Sequence, residues 1–223
     1  MKNYKKNLEL LSKNHVYSEE MEHDACGVGL IASTEGKKSR AVVEHGIEAL
    51  KAVWHRGAVD ADGKTGDGAG IHLEIPKDFF IEKIEVTGHD YDDSEICVGM
   101  IFLPRNDYSS QESCKTIVES ELTKNNFSIY GWRQVPVNPK VLGEKAFQTM
   151  PEIIQVLFKS SDPNLLDKEL ERKIYETRKK IENKALNLSL NNFYICSISS
   201  KSIIYKGMFL AEAISDFFLD LKD

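Results

Sequence analysis

Apolar and polar positions fall in blocks along the chain, and the block lengths separate strands from helices. ICVGMIFLP is a short apolar run and EIIQVLFKS a largely apolar one, and both read as strands. GIHLEIP and FSIYGWRQVPV are also strand-like, and CGVGLIAS predicts a further short, buried, β-rich segment. FYICSISS and SIIYKGM predict a paired hairpin. From Ser39 onward, Val43, Ile47, Leu50 and Trp54 recur at helical spacing. Ser109 with Glu112 three residues on resembles a capping box, opening a helix that uses Cys114, Val118 and Leu122. Asp162-Pro163 reads as the N-cap and first-turn pair of the longest helix. That helix holds Leu166, Leu170, Ile174, Ile181, Ala185 and Leu188 on one face and a solvated surface of Lys, Arg and Glu on the others. Leu210, Ile214, Phe217, Phe218 and Leu221 predict a short amphipathic helix at the end.

Strands arrive in groups, sometimes adjacent and sometimes separated by helices, so the class is α+β or layered α/β rather than strictly alternating βαβ. Residues 1–25 are polar and lack periodicity, ending in an acidic stretch around Glu19, Glu20, Glu22 and Asp24. HRGAVDADGKTGDGAG breaks all regular structure between the first helix and the strand GIHLEIP. Its glycines precede a strand, whereas a dinucleotide fingerprint follows one and opens a helix. The glycines therefore predict tight turns and close backbone approach near something buried.

Composition narrows the classes without naming an activity. The chain is 41% hydrophobic and 29% charged with a net charge of -6, ordinary globular chemistry. The acidic balance argues against a nucleic-acid partner, which would need a basic excess on some face. No apolar run approaches the length of a membrane span, and the lysine-bearing start has no apolar core behind it, so it is not a secretory signal. A cytoplasmic compartment with reduced thiols follows as the expectation. The four cysteines are scattered, with neither a C-x-x-C pair nor zinc-finger spacing, so no metal site is expected. Cys97 and Cys196 lie in apolar strands and Cys114 on the apolar side of a helix, each a small buried residue.

Cys26 is different. By itself, a cysteine before Gly-Val-Gly is a small buried residue or a nucleophile, and the second reading needs a means of making a thiolate. A free thiol with pKa about 8.5 is mostly protonated at neutral pH. Cutting the chain just before Cys26 would free an α-amine of pKa about 7.7–8.0 that can take the thiol proton. A polar leader ending at Ala25 is compatible with that scheme.

EHDACGVGLIA followed by ALKAVWHRGAVDADGKTGDGAGIHLEIPKDFF closely resembles the glutaminase domain of glutamate synthase large chains. These domains are class II glutamine amidotransferases of the N-terminal-nucleophile type. The similarity continues through VGMIFLPR, YGWRQVPVNPKVLGEKAFQTMPEIIQVLF, RKIYETRKKIEN and FYICSISSKSIIYKGMFLAEAISDFFLDL, nearly the whole chain. Other class II amidotransferases, such as phosphoribosyl-pyrophosphate or glucosamine-phosphate enzymes, share Cys-Gly and Arg-Gly elements but not this series. The resemblance implies a four-layer αββα N-terminal-nucleophile hydrolase sandwich. Residues 1–25 would be the leader or propeptide, and residues 26–223 the N-terminal part of the amidotransferase domain.

The resemblance further implies Cys26 as catalytic nucleophile, with Arg56 and Gly57 lining the substrate site. His55 is either part of that site or a packed or capping histidine. Asp60 stands where relatives often have glycine. The implied substrate is glutamine, hydrolysed to glutamate and ammonia through a thioester. FMN and an iron–sulfur cluster belong to the full-length enzyme, and no cofactor is expected in this chain. In the family the sequence runs on into a His-Ser-Arg-Phe element, whose arginine holds the substrate carboxylate, and an Asn-Gly pair forming the oxyanion hole. Neither is present here, so an incomplete sandwich and little or no activity of the isolated chain are expected. The missing portion would come from the rest of the large chain or a separately encoded continuation. The competing expectation is a non-catalytic interaction module or remnant, docking on a separately encoded synthase partner through its sheet edge and terminal helix.

Overall fold

The computed structural model describes residues 6, 7, 9, 10, 13, 27–54 and 57–222. Two antiparallel sheets organise these residues. The larger joins β2 (Cys97–Leu103), β3 (Phe127–Gln134), β4 (Glu152–Ser160) and β5 (Tyr194–Ser199) in the order β3-β4-β2-β5. The smaller pairs β1 (Ala69–Glu74) with β6 (Ser202–Gly207).

The larger sheet is covered on both faces, which is why its central strands read as continuous apolar runs. Successive residues of β2 point to opposite sides. Cys97, Ile101 and Leu103 meet Cys114, Ile117, Val118 and Leu122 of α3 (Tyr108–Lys124) and Leu170, Ile174 and Ile181 of α5 (Asp167–Asn187). Val98 and Met100 face a second cluster, where Ile203 and Tyr205 of β6 join Phe80 and Ile84 of α2 (Lys77–Val86). Ile47 of α1 (Arg40–Ala52) belongs to the same cluster, and a Cβ on Gly46 would sit 3.3 Å from Ile71 Cδ1, so α1 lies against β1. The charged faces of α3 and α5 are tied at their rims, Lys184 Nζ to Glu121 Oε1 at 3.0 Å.

Several elements differ from the sequence expectation. β5 and β6 do not pair with each other: β5 pairs with β2 and β6 with β1. The chain turns a corner at Ser200 and Lys201, leaving only side-chain bridges such as Ile204 N to Ser197 Oγ at 3.1 Å. Glu171 holds this corner, accepting from Ser200 N at 2.7 Å and from the hydroxyls of Ser199 and Ser200. The cap of α3 is Asp107, whose carboxylate accepts from Ser110 N at 3.0 Å, because a side chain at Ncap reaches the N3 amide. The longest helix begins at Asp167 rather than Asp162, which instead forms a turn closed by Leu165 N at 3.2 Å. Consequently Leu166 and Leu188, beyond the helix ends, are exposed.

The C-terminal segment is not one helix. It breaks into 3-10 turns at Ala211–Ala213 and Leu219–Lys222 around a single helical turn, α6 (Ile214–Phe217). Phe209, Ile214, Phe217, Phe218 and Leu221 are all buried. The broken segment carries both adjacent phenylalanines into one core, where the rings of Phe217 and Phe218 pack edge to face with centroids 4.8 Å apart. Residues 27–33 form no strand, and Val28 and Leu30 stand exposed rather than buried. An extended segment is a strand only when a neighbour accepts its backbone hydrogen bonds.

Candidate active site

The site region grows from the end of α1. After Val53 caps the helix, the Trp54 carbonyl accepts from Gly57 N at 3.0 Å. Cys26, His55 and Arg56 lie outside the described residues, as does most of the proposed leader. Of the predicted site residues Gly57 is described, and it is exposed.

Residues 57–67 fold into a small knot. Val59 bridges Gly66, Asp60 N donates to Thr65 O at 2.9 Å, and Asp67 N donates to Ala58 O at 3.2 Å. Inside it the Asp62 carboxylate accepts from Thr65 Oγ1 at 2.6 Å, Thr65 N at 2.7 Å and Lys64 N at 2.9 Å. These donors, the threonine hydroxyl first, hold the Asp62 carboxyl well below the usual carboxylate range. Lys145 Nζ donates to Asp60 Oδ2 at 2.7 Å, which lowers the aspartate pKa and raises that of the lysine.

Two glycines make the knot fit. A Cβ on Gly143, at the start of α4 (Glu144–Thr149), would collide with both Asp62 and Thr65. A Cβ on Gly66 would come within 2.7 Å of the Phe209 carbonyl oxygen. The close backbone approach expected of the glycine-rich stretch is thus realised here, against α4 and the residue 209 turn.

Beside the knot opens a cleft of about 560 Å³. Residues 67–72 form one wall, and Phe102, Ile204, Lys206 and Met208 supply side chains from β2, β6 and the turn after it. Asp67 connects cleft and knot, since a Cβ on Gly57 would stand 3.2 Å from Asp67 Oδ1. Lys206 is held by Tyr194, donating to its hydroxyl at 2.7 Å and lying 4.5 Å from the ring centroid. His72 pairs with Ile204 across the ladder, two pairs along from Gly70 and Lys206, so His72 and Lys206 share one face. The cleft therefore offers a cation, an imidazole and a carboxylate above an apolar floor. Sequence reasoning missed Asp67, His72 and Lys206. The available signal was the GDGAG stretch running straight into a strand, which places Asp67 where the loop meets the sheet.

Cys97, Cys114 and Cys196 are buried as free thiols on β2, α3 and β5. Burial pushes Cys114 and Cys196 each up to about 11, and Cys97 well above its ordinary value. Among the described residues no group of His, Cys, Asp or Glu is placed to hold a metal ion. These three cysteines stand on separate elements, an arrangement that does not fit the clustered thiolates an iron–sulfur centre needs. Among the described residues no helix is long and apolar enough to cross a membrane.

The mixed helix and antiparallel-sheet architecture, with a glycine-rich knot beside a cleft, agrees with the family comparison. Residues 26–223 match the model of class II glutamine amidotransferases, and the chain belongs to that family. Relatives of the chain include glutamate synthases. It is 51% identical over 220 residues to the glutamate synthase [NADPH] large chain of Azospirillum brasilense, covering 99% of this chain and 14% of that one. Identity is 40% over 204 residues to ferredoxin-dependent glutamate synthase 1 of Arabidopsis thaliana, 91% of this chain and 12% of that protein. With the ferredoxin-dependent enzyme of Pyropia yezoensis it is 39% over 217 residues, 95% of this chain and 14% of the relative. The chain thus spans about one seventh of the length of the curated relatives it matches.

Proposed function

We propose that this chain carries the glutaminase half-reaction of a glutamate synthase, with Cys26 as nucleophile. The observation that carries the reading is the family match beginning at Cys26 itself. The cleft lined by Asp67, His72 and Lys206 supports it as a place for a small zwitterionic substrate. The thiol proton passes to the α-amine freed by removal of residues 1–25. The thiolate adds to the side-chain amide carbon of glutamine, and ammonia leaves with that proton as the C–N bond breaks. Water then cleaves the γ-glutamyl thioester, releasing glutamate and restoring the thiol. Arg56 and Gly57 line the site in this scheme.

The proposed fold is the four-layer αββα sandwich of N-terminal-nucleophile hydrolases, supported by α1 against β1 and by α3 and α5 against the larger sheet. Residues 1–25 are the proposed leader and 26–223 the amidotransferase segment. In the proposed assembly the ammonia passes to a synthase portion beyond this chain, either the rest of the large chain or a separately encoded continuation, in the cytoplasm. FMN and the iron–sulfur cluster reside there. The described lining of the cleft contains no arginine to grip a carboxylate, which supports low turnover by the chain alone. A role as a non-catalytic module docking through a terminal helix has less support, because the apolar residues of that segment fill the chain's own core.

Treatment with a glutamine-mimicking diazoketone tests the reading. The expected product is a single adduct on a peptide beginning at Cys26, abolished by Cys26→Ser. An adduct on another residue, or an intact mass retaining Met1 with an unreactive Cys26, overturns it.

A further inference from the structure

Lys206 is a half-buried cation without a paired anion. It lines the cleft opposite Gly70 in the ladder of β1 and β6. Among the described residues no carboxylate pairs with it, and the polar partner of its ammonium is the neutral Tyr194 hydroxyl at 2.7 Å. An ammonium carries three N–H donors, so donors remain for a ligand. Tyr194 is itself set by Phe102, its cross-strand partner on β2, with ring centroids 5.8 Å apart. Phe102 also lines the cleft, so the ammonium is held beside the apolar floor rather than trailing in solvent. A charge partly withdrawn from water without a counter-charge is unfavourable, and this end of the cleft therefore favours an anion.

The neighbours of Lys206 set where that anion sits and what lies behind it. Gly70 puts no side chain beside the foot of Lys206, where a Cβ would come within 2.9 Å of Lys206 Cβ. His72, on the same face, adds an imidazole at this end. At the other end stands Asp67, three residues before Gly70 and so up to about 10 Å away along the chain. Its carboxylate repels a second anion and accepts from an N–H donor. Between the two ends, Phe102, Ile204 and Met208 offer apolar surface. A five-carbon chain with a hydrogen bond at each end bridges about 10 Å.

We propose that Lys206 is a carboxylate-binding residue of the cleft, that Tyr194 positions it, and that the ligand class is a short carboxylate ending in a primary amide. The carboxylate takes the remaining N–H donors of Lys206, the stem lies on Phe102 and Met208, and the amide N–H group faces Asp67. Dicarboxylates of the same length are disfavoured, because their second charge meets Asp67. A lysine makes a point contact where an arginine makes a fork, so the affinity is modest. The inference rests on the glutaminase reading for its catalytic meaning, since glutamine has this carboxylate-to-amide spacing. Binding itself needs no nucleophile.

Glutaramate, the five-carbon monoamide, and glutarate, the matching diacid, test this by saturation-transfer NMR on a Cys26→Ser chain. Glutaramate is expected to bind more tightly than glutarate, and Lys206→Met to weaken it by about tenfold. Tyr194→Phe, which keeps the ring and removes the hydroxyl, should weaken it by less. Asp67→Asn should bring glutarate up to the level of glutaramate, a gain that misfolding does not imitate. Undiminished glutaramate binding by Lys206→Met overturns the assignment. So does the absence of saturable binding in the parent chain, or an Asp67→Asn chain that keeps the preference for the monoamide. A diazoketone adduct on Cys26 without glutaramate binding sinks this inference alone, whereas glutaramate binding without an adduct sinks only the nucleophile reading.

Discussion

Arg133 and Asp220, 87 residues apart, form a two-pronged ion pair, with Nη2 to Oδ1 at 2.6 Å and Nη1 to Oδ2 at 2.8 Å. The side chains are 14% and 3% exposed, so the pair is largely withdrawn from water. Gln155 accepts a further bond from Arg133 Nη1 at 2.8 Å, and Tyr205 OH donates to Asp220 Oδ2 at 3.2 Å. One carboxylate thus fastens the C-terminal 3-10 turn to a strand of each sheet. Arg40 adds a bond from Nη2 to the Leu221 carbonyl at 2.5 Å.

Removing one partner of this pair leaves the other buried and uncompensated. Asp220→Ala should destabilise the chain by about 3–5 kcal/mol, read as a lower urea midpoint. Arg133→Lys should also destabilise, by less, because an ammonium cannot match the carboxylate with two parallel bonds.

Gly143 faces Asp62 and Thr65 with no room for a Cβ. Gly143→Ala should cost about 1–3 kcal/mol through overpacking and should loosen the knot at residues 57–67. The readouts are the denaturation midpoint and proteolytic cutting in that loop. Asp62→Asn should loosen the same loop without adding volume.

Glu171 accepts four hydrogen bonds at the corner between the two sheets. Glu171→Ala leaves the Ser200 amide and two hydroxyls without that acceptor. A loss of about 2 kcal/mol is expected, measured by thermal or urea unfolding, with Glu171→Gln retaining part of the stability.

The buried thiols give a signed pH dependence. Cys114 and Cys196 titrate near 11 in the folded chain against an ordinary value of 9.0. A raised folded pKa means that the unfolded chain loses its proton first as pH rises. The stability contribution is therefore complete below about 9 and is lost as pH climbs through about 11. Unfolding midpoints should fall across that window, and Cys196→Ala or Cys114→Ala should flatten the slope. At pH 8, carbamidomethylation followed by peptide mass spectrometry should leave Cys97, Cys114 and Cys196 unmodified unless the chain is unfolded.

Much of the fold was legible because burial writes itself into periodicity. ICVGMIFLP and EIIQVLFKS are continuous because α3 and α5 cover one face of β2 and β4 and the second cluster covers the other. The buried stripe of α5, from Leu170 to Ala185, was visible for the same reason. Partner choice left no such mark. The alternation in FYICSIS and SIIYKG is the same whether those strands pair with each other or with β2 and β1. Of the site, the glycine-rich stretch announced close packing, but Asp67, His72 and Lys206 gained meaning only when β1 met β6.

The sequence by itself determined the family, the α+β class and most element positions, since local hydrophobic spacing and extended motif similarity survive without three-dimensional context. Tertiary structure decided the rest. It routed β5 and β6 to different sheets, broke the C-terminal segment so that Phe217 and Phe218 share one core, and set Arg133 beside Asp220. It also placed the knot and the cleft together. These features depend on contacts between residues distant in the chain, whose energies come from mutual burial and paired hydrogen bonds rather than from local preference.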